Sequence, residues 1–113
     1  MERYKICVYA ICKNESMFVD RWMDSMLEAD VIVVTDTGST DDTVERLRAR
    51  GATVFIEEVK PWRFDVARNI SLGHVPEDAD ICVCTDLDEH FDSGWRQALD
   101  AAWQPGATNG KYL

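Results

Sequence analysis

"DVIVVTDTGSTDDTVERLRARGATVFIEE", residues 30–58, decides the fold of this 113-residue chain. It opens on an unbroken apolar run, Val31 to Val34, that ends at Asp36. A run without polar alternation predicts a strand covered on both faces. Residues 39–51 then read as a helix, with Ser39 or Thr40 as cap, acids in the first turn, arginines in the last and Gly51 as the stop. Residues 52–58 predict the next strand. Strand, helix and strand with such short joints predict a parallel sheet built with right-handed crossovers.

The same alternation extends in both directions. "YKICVYAIC" (4–12) predicts another doubly covered strand. "ESMFVDRWMDSMLEA" (15–29) places Phe18, Val19, Trp22, Met23, Met26 and Leu27 at helical spacing. Downstream, a loop around Pro61 leads into a helix from about Phe64, then a strand over 78–86 and a helix over 92–103. The final "KYL" resembles the opening of a further strand. The chain shows no internal repeat, low-complexity tract or linker. The expectation is one α/β domain with a mostly parallel sheet.

At 46% hydrophobic and 29% charged residues, the composition is that of a globular protein. The formal net charge of −9 argues against nucleic acid as partner, because phosphate backbones select basic faces. A phosphorylated small molecule stays within reach if a divalent cation mediates. The start, "MERYKICVYAIC", is charged at once and too short in apolar run to span a bilayer, so a cytoplasmic location is expected. The four cysteines, Cys7-x4-Cys12 and Cys82-x-Cys84, do not have zinc-knuckle spacing. Cys7, Cys82 and Cys84 are expected as small buried hydrophobes in strands.

Polar residues gather where the strands end: Asn14 and Glu15 after the first, Asp36 after the second, Asp86 and Asp88 after the fourth. Ligands of parallel sheets bind along that edge, where the strand order reverses. With the order 3-2-1-4 these clusters converge on one crevice. In Asp86-Leu87-Asp88 the acids are two apart, and in extended backbone such side chains share a face roughly 6.5–7 Å apart. Two carboxylates suit one cation, since Mg²⁺ usually takes one or two carboxylates plus substrate phosphates. Position six of that stretch is Phe91, not the glycine an EF-hand needs. The alternative is a solvated loop with Asp92 capping the last helix. "TDTGSTDDT" (35–43) lacks a P-loop lysine and the dinucleotide glycine pattern. A tight turn and helix cap account for Gly38 to Asp41, but not for Asp36, whose acid at the crevice can bond a ribose or base edge. "PWRFDVARN" (61–69) supplies positive charge: Arg68 can clamp a phosphate, whereas Arg63 is better read as a surface ion pair. His90 adjoins the acid pair but reads more simply as a solvated loop residue.

Together, "AICKNE" (10–15), "VVTDTGSTDDTVE" (33–45), "FDVARN" (64–69) and "ICVCTDLDE" (81–89) resemble, in order and spacing, the nucleotide-sugar-binding half of family 2 glycosyltransferases. The resemblance implies a Rossmann-like, three-layer GT-A fold over residues 1–113, cut short relative to the family. It implies metal-dependent, inverting transfer of a sugar from a nucleotide-diphosphate donor, expected to be UDP-linked, to a saccharide, lipid-linked sugar or protein acceptor. Asp36 would contact the uridine, with the backbone around Ala10 and Ile11 lining the base pocket. Asn14, Glu15 and Leu87 would belong to the same donor site. Arg68 would face base or diphosphate, supported by Asp65 and Asn69. Asp86 and Asp88 would hold Mn²⁺ or Mg²⁺ against the diphosphate. The catalytic base is expected beyond Leu113, and the shortened sheet would leave an apolar edge open to self-association. A nucleotidyltransferase-like enzyme is the runner-up, although "CKNES" offers only Lys13 where such folds carry a glycine- and basic-rich loop. A noncatalytic nucleotide-binding fragment is the alternative from another class.

Overall fold

The run read as the first strand lies at the centre of the sheet. In the computed structural model, which describes residues 5–89 and 91–102, β1 (Ile6–Cys12) pairs in parallel with β2 (Val31–Asp36) on one side and β4 (Ile81–Cys84) on the other. β3 (Thr53–Ile56) adds to β2, so the order is β3-β2-β1-β4, the order under which the polar clusters were expected to converge. Cys7 stands opposite both Val31 and Cys82, and Cys12 opposite Asp36. That register brings the β1 and β2 loops out of the sheet level with each other.

Successive side chains of β1 alternate between two cores, as the two-residue period of a strand dictates. Ile6, Val8, Ala10 and Cys12 face one side, where α1 (Ser16–Met26) and α2 (Thr43–Ala49) bring Val19, Trp22, Met23, Met26 and Leu47. Trp95 and Leu99 of α4 (Trp95–Ala102) pack against that same cluster. Cys7 and Tyr9 face the other side, under α3 (Phe64–Gly73) and the turn after it, with Leu72, Val75 and Ala79. The result is the expected three-layer GT-A arrangement of helices on both faces of a parallel sheet. Cys7, Cys12 and Cys82 are buried, Cys84 half-buried, and none of the four is in a disulfide. Burial pushes the Cys7 thiol up to about 12, which leaves it an inert packing residue. Among the described helices none is long and apolar enough to cross a membrane.

Two helix starts differ from the sequence reading. α2 begins at Thr43, because residues 37–42 form a turn and its first amide is taken by Asp41 Oδ1 at 3.0 Å, rather than by Ser39 or Thr40. α4 is capped from outside its own segment. Glu28 accepts the Gly94 and Arg96 amides at 2.9 and 3.1 Å, where the alternative reading of the loop gave the cap to Asp92. Arg96, 7% exposed, pairs with Asp30 at 2.9 Å and donates to the Glu28 carbonyl at 2.8 Å. These contacts hold the far end of the β4–α4 segment to α1 and β2. His90 and the "KYL" stretch lie outside the described residues.

Candidate functional site

Leu87 decides how the acids after β4 are presented. It is 0% exposed and belongs to the core beneath α1, while Asp86 and Asp88 on either side of it are exposed. An apolar residue anchored in the core therefore leaves both carboxylates in solvent at the carboxyl edge of the sheet. Leu87 was expected among the donor contacts. Its buried side chain is instead a structural anchor, since an isobutyl group gains more from the core than from a wet edge. The loop is tightened by Glu89, whose Oε1 accepts the Asp86 amide at 2.8 Å and the Thr85 hydroxyl at 3.3 Å. The Thr85 amide donates to the Tyr9 carbonyl at 3.2 Å, which ties the loop to β1.

The electrostatics of this loop are unresolved internally. Partial burial raises the Asp86 carboxyl above its ordinary value, and the Glu89 and Asp88 charges push the same way, opposed by Arg68. Glu15, from the β1–α1 loop, is raised first by burial and further by Asp88 and Asp86, against a hydrogen bond from the Lys13 backbone. Carboxylates from two loops thus share one field. Among the described residues no three His, Cys, Asp or Glu side chains form a ready-made metal cage. The donor set fits a hard cation that completes its shell with phosphate oxygens, which needs only one or two carboxylates from the protein.

The acids after β2 are arranged differently. Asp36 is 1% exposed. Its Oδ2 accepts the Gly38 and Ser39 amides at 3.1 and 2.9 Å, and its Oδ1 accepts the Ser39 hydroxyl and, at 3.4 Å, the Cys12 thiol. The residue that a tight turn left unexplained is the one that builds the turn. Gly38 needs its missing side chain there, because its φ is +125°. Asn14 ties the neighbouring loop to this one: its amide donates to Ser39 Oγ at 2.8 Å and its Oδ1 accepts the Thr40 amide at 2.7 Å. The Glu15 amide donates to Thr43 Oγ1 at 3.0 Å. Asn14 Oδ1 and both Asp36 oxygens are therefore engaged by backbone and side-chain donors of the β2–α2 turn and the end of β1.

On α3, Arg68 lies over the Phe64 ring, 4.8 Å from its centroid, and its charge reaches Asp86, Cys84 and Tyr9. The structure thus brings Arg68 and Asp86 into one neighbourhood. Asp65 is paired with Arg63 at 2.9 Å, so it does not support Arg68 through that contact, and Arg63 forms the surface pair read from the sequence. Asn69 is exposed on the same helix. Ala10 is buried and its carbonyl accepts the Ser71 hydroxyl at 3.3 Å, which docks α3 on β1, while Ile11 is half-buried. Sequence reasoning missed a groove of about 580 Å³ between the turn after β2 and the segment after β3, walled by Lys13, Thr37, Gly38, Ile56, Val59 and Trp62. Trp62 is 55% exposed there. A large aromatic residue after a loop proline was the available signal.

No protein-family model matches the chain. Over 59 residues it is 42% identical to an uncharacterized glycosyltransferase of Rickettsia prowazekii (strain Madrid E), covering 51% of this chain and 19% of that protein. A glycosyltransferase of Rickettsia conorii is 44% identical over 59 residues, 51% of this chain and 20% of its own length. Among solved structures, glucosyl-3-phosphoglycerate synthase from Mycobacterium tuberculosis, in complex with Mn²⁺, UDP and glucosyl-3-phosphoglycerate, superposes with a TM-score of 0.62 at 31% identity. The match covers 75% of this chain and 34% of that one. The same enzyme has been solved with Mg²⁺ and UDP, with a TM-score of 0.62. The chain thus spans about a fifth of the curated relatives and about a third of the solved enzyme. In sequence and in fold alike, the chain is similar to glycosyltransferases of the GT-A fold.

Proposed function

We propose that residues 1–113 form the donor-binding part of a metal-dependent glycosyltransferase that moves a sugar from a UDP-linked donor to an acceptor with inversion. The observation that carries this reading is the outward pair Asp86 and Asp88, set by the buried Leu87 beside Arg68. The similar synthase supports it, because that enzyme is solved with UDP and with Mn²⁺ or Mg²⁺.

In this reading Asp86 and Asp88 hold the cation from the protein side, and Glu89 fixes the loop by taking the Asp86 amide. A bound Mn²⁺ or Mg²⁺ supplies Lewis-acid stabilisation of the charge that develops on the diphosphate. Arg68, positioned by the Phe64 ring, adds a second positive group on the α3 side. Asp36 and Asn14 act on the donor through the backbone they shape, presenting Thr37, Gly38 and the start of α1. Glu89 is already engaged and is not assigned as the base. Four cysteines outside any disulfide agree with a reducing compartment such as the cytoplasm. β4 is paired on one side only among the described strands, so self-association along it belongs to the same proposal and is read by sedimentation.

The test is calorimetric titration of UDP with and without Mn²⁺, on the chain and on Asp86→Ala and Asp88→Ala. Metal-dependent binding that both substitutions remove supports the reading. A folded chain that does not bind UDP overturns it.

A further inference from the structure

We infer that Tyr9 and Cys84 are positioning residues for the phosphate end of the site, a neutral pair that holds Arg68 on the side of Asp86. The inference rests on the donor-binding reading and adds to it two residues that act through Arg68 rather than on the ligand. Three observations support it.

First, the strand register places the pair. Tyr9 of the central strand stands opposite Cys84, the last residue of β4, and both belong to the core side under α3. Paired strands lie roughly 4.8 Å apart, so the two side chains are immediate neighbours. Tyr9 is 5% exposed, and a buried phenol needs a partner for its hydroxyl. The Cys84 sulfur supplies it. The Tyr9 carbonyl also accepts the Thr85 amide at 3.2 Å, one residue before Asp86. Second, Arg68 needs an anchor beyond its own helix. It is exposed and rests on the Phe64 ring, while Asp65, the acid in the first turn of α3, is taken by Arg63. An exposed arginine is rich in rotamers, and one ring contact leaves most of them open. The Arg68 charge acts across the gap on both residues of the pair: burial raises the Cys84 thiol and pushes the Tyr9 phenol up to about 12, and Arg68 opposes both. Third, a neutral anchor suits the task. A phenol and a thiol are uncharged at ordinary pH. A carboxylate in their place would form an ion pair and cancel the charge that Arg68 brings to a diphosphate. Dipoles orient the guanidinium and leave its charge to the ligand.

The experiment measures UDP binding with Mn²⁺ by calorimetry, with a thermal melt for every chain. The chains are the parent, Tyr9→Phe, Cys84→Ala, Cys84→Ser, Arg68→Ala, and the two doubles that combine Tyr9→Phe or Cys84→Ala with Arg68→Ala. Tyr9→Phe and Cys84→Ala should each weaken UDP roughly three- to tenfold, within the coupling seen between side chains of one network. Cys84→Ser, which returns a small polar group to the position, should recover most of the loss. In the Arg68→Ala background neither substitution should weaken UDP further, because the group they position is gone. A purely structural role would lower the melts without this non-additivity. If the losses instead add to that of Arg68→Ala, the pair acts on the core or the metal loop and the inference fails. It fails equally if Arg68→Ala, or both Tyr9→Phe and Cys84→Ala, bind UDP as the parent does while Asp86→Ala does not, and the donor-site reading then stands. If the folded parent does not bind UDP with Mn²⁺, the donor-site reading fails and takes this inference with it.

Discussion

Two loops at the same edge of the sheet have nearly the same composition and opposite physics. Residues 36–42 and 86–89 each carry three acids in a short stretch after a strand. In the first, the acids are satisfied from within. Asp36 takes the turn amides, Asp41 takes the first amide of α2, and Asp42 pairs with Arg46 at 2.9 Å. The Thr43 hydrogen bond holds Asp41 below the usual carboxylate range, and Arg46 does the same for Asp42. In the second, Asp86 is raised, by burial first and then by Glu89 and Asp88. Charge count therefore did not separate the loops, but the partners did. The acids bonded to their own turn build it, whereas Asp86 and Asp88, left exposed, are the pair we propose for a cation.

The sharpest way to break this comparison is Leu87→Ala. It should cost about 2–5 kcal/mol of stability, read in urea, because it empties a fully buried site. It should also weaken Mn²⁺-dependent UDP binding by freeing the loop. A loss of stability with unchanged metal affinity would show that Leu87 does not present the acids. Next in size, Asp86→Ala and Asp88→Ala should each lose more than roughly 100-fold in Mn²⁺-dependent UDP affinity, the upper end seen for residues that only support a ligand. Their melting temperatures should hold or rise. Asp36→Ala should behave in reverse, losing about 1.5–3 kcal/mol of stability through its charge-assisted hydrogen bonds, with UDP affinity changed less. Should it remain stable and lose UDP, Asp36 would belong with the ligand residues and the contrast between the loops would collapse.

The smallest effect is the pH dependence, whose sign differs between the loops. Asp42, with a lowered folded value, contributes stability that is present above its unfolded value near 4 and is lost as pH falls through the folded value. Asp86, with a raised folded value, costs stability as pH rises from near 4 through that value. Urea midpoints at about pH 6 should therefore place Asp42→Asn below the parent and Asp86→Asn above it. The Asp86 difference should vanish once pH falls below its ordinary value near 4, whereas the Asp42 difference should shrink only as pH falls through its lowered folded value. Differences of the same sign would contradict the assignment of the two loops.

The alternation of strands and helices, the parallel sheet and the helix carrying Arg68 follow from the sequence, because strand runs, helical spacing and short joints are local signals. The D-x-D stretch was visible for the same reason. The partner of a hydrogen bond that crosses the sequence is not local. Glu28 capping α4 from 66 residues away, and Asn14 closing on Thr40, have no sequence signature. The end of α2 was also plain in the sequence, since Gly51 and the last-turn arginines act on adjacent backbone. Its start was not, because Asp36 and Asn14 hold residues 37–42 out of the helix.

By itself, then, the sequence determined an α/β fold with a parallel sheet and the strand ends at which its acids gather, while the order β3-β2-β1-β4 was an expectation that the structure bears out. Only the tertiary structure decided which acids are free to act. Asp36 and Asp86 both end a strand, and from the sequence each can face a ligand. Burial and the neighbouring amides consume the first, while Leu87, drawn into the core, leaves the second outside. Periodicity is written along the chain, but hydrogen-bond saturation depends on groups that meet only when it folds.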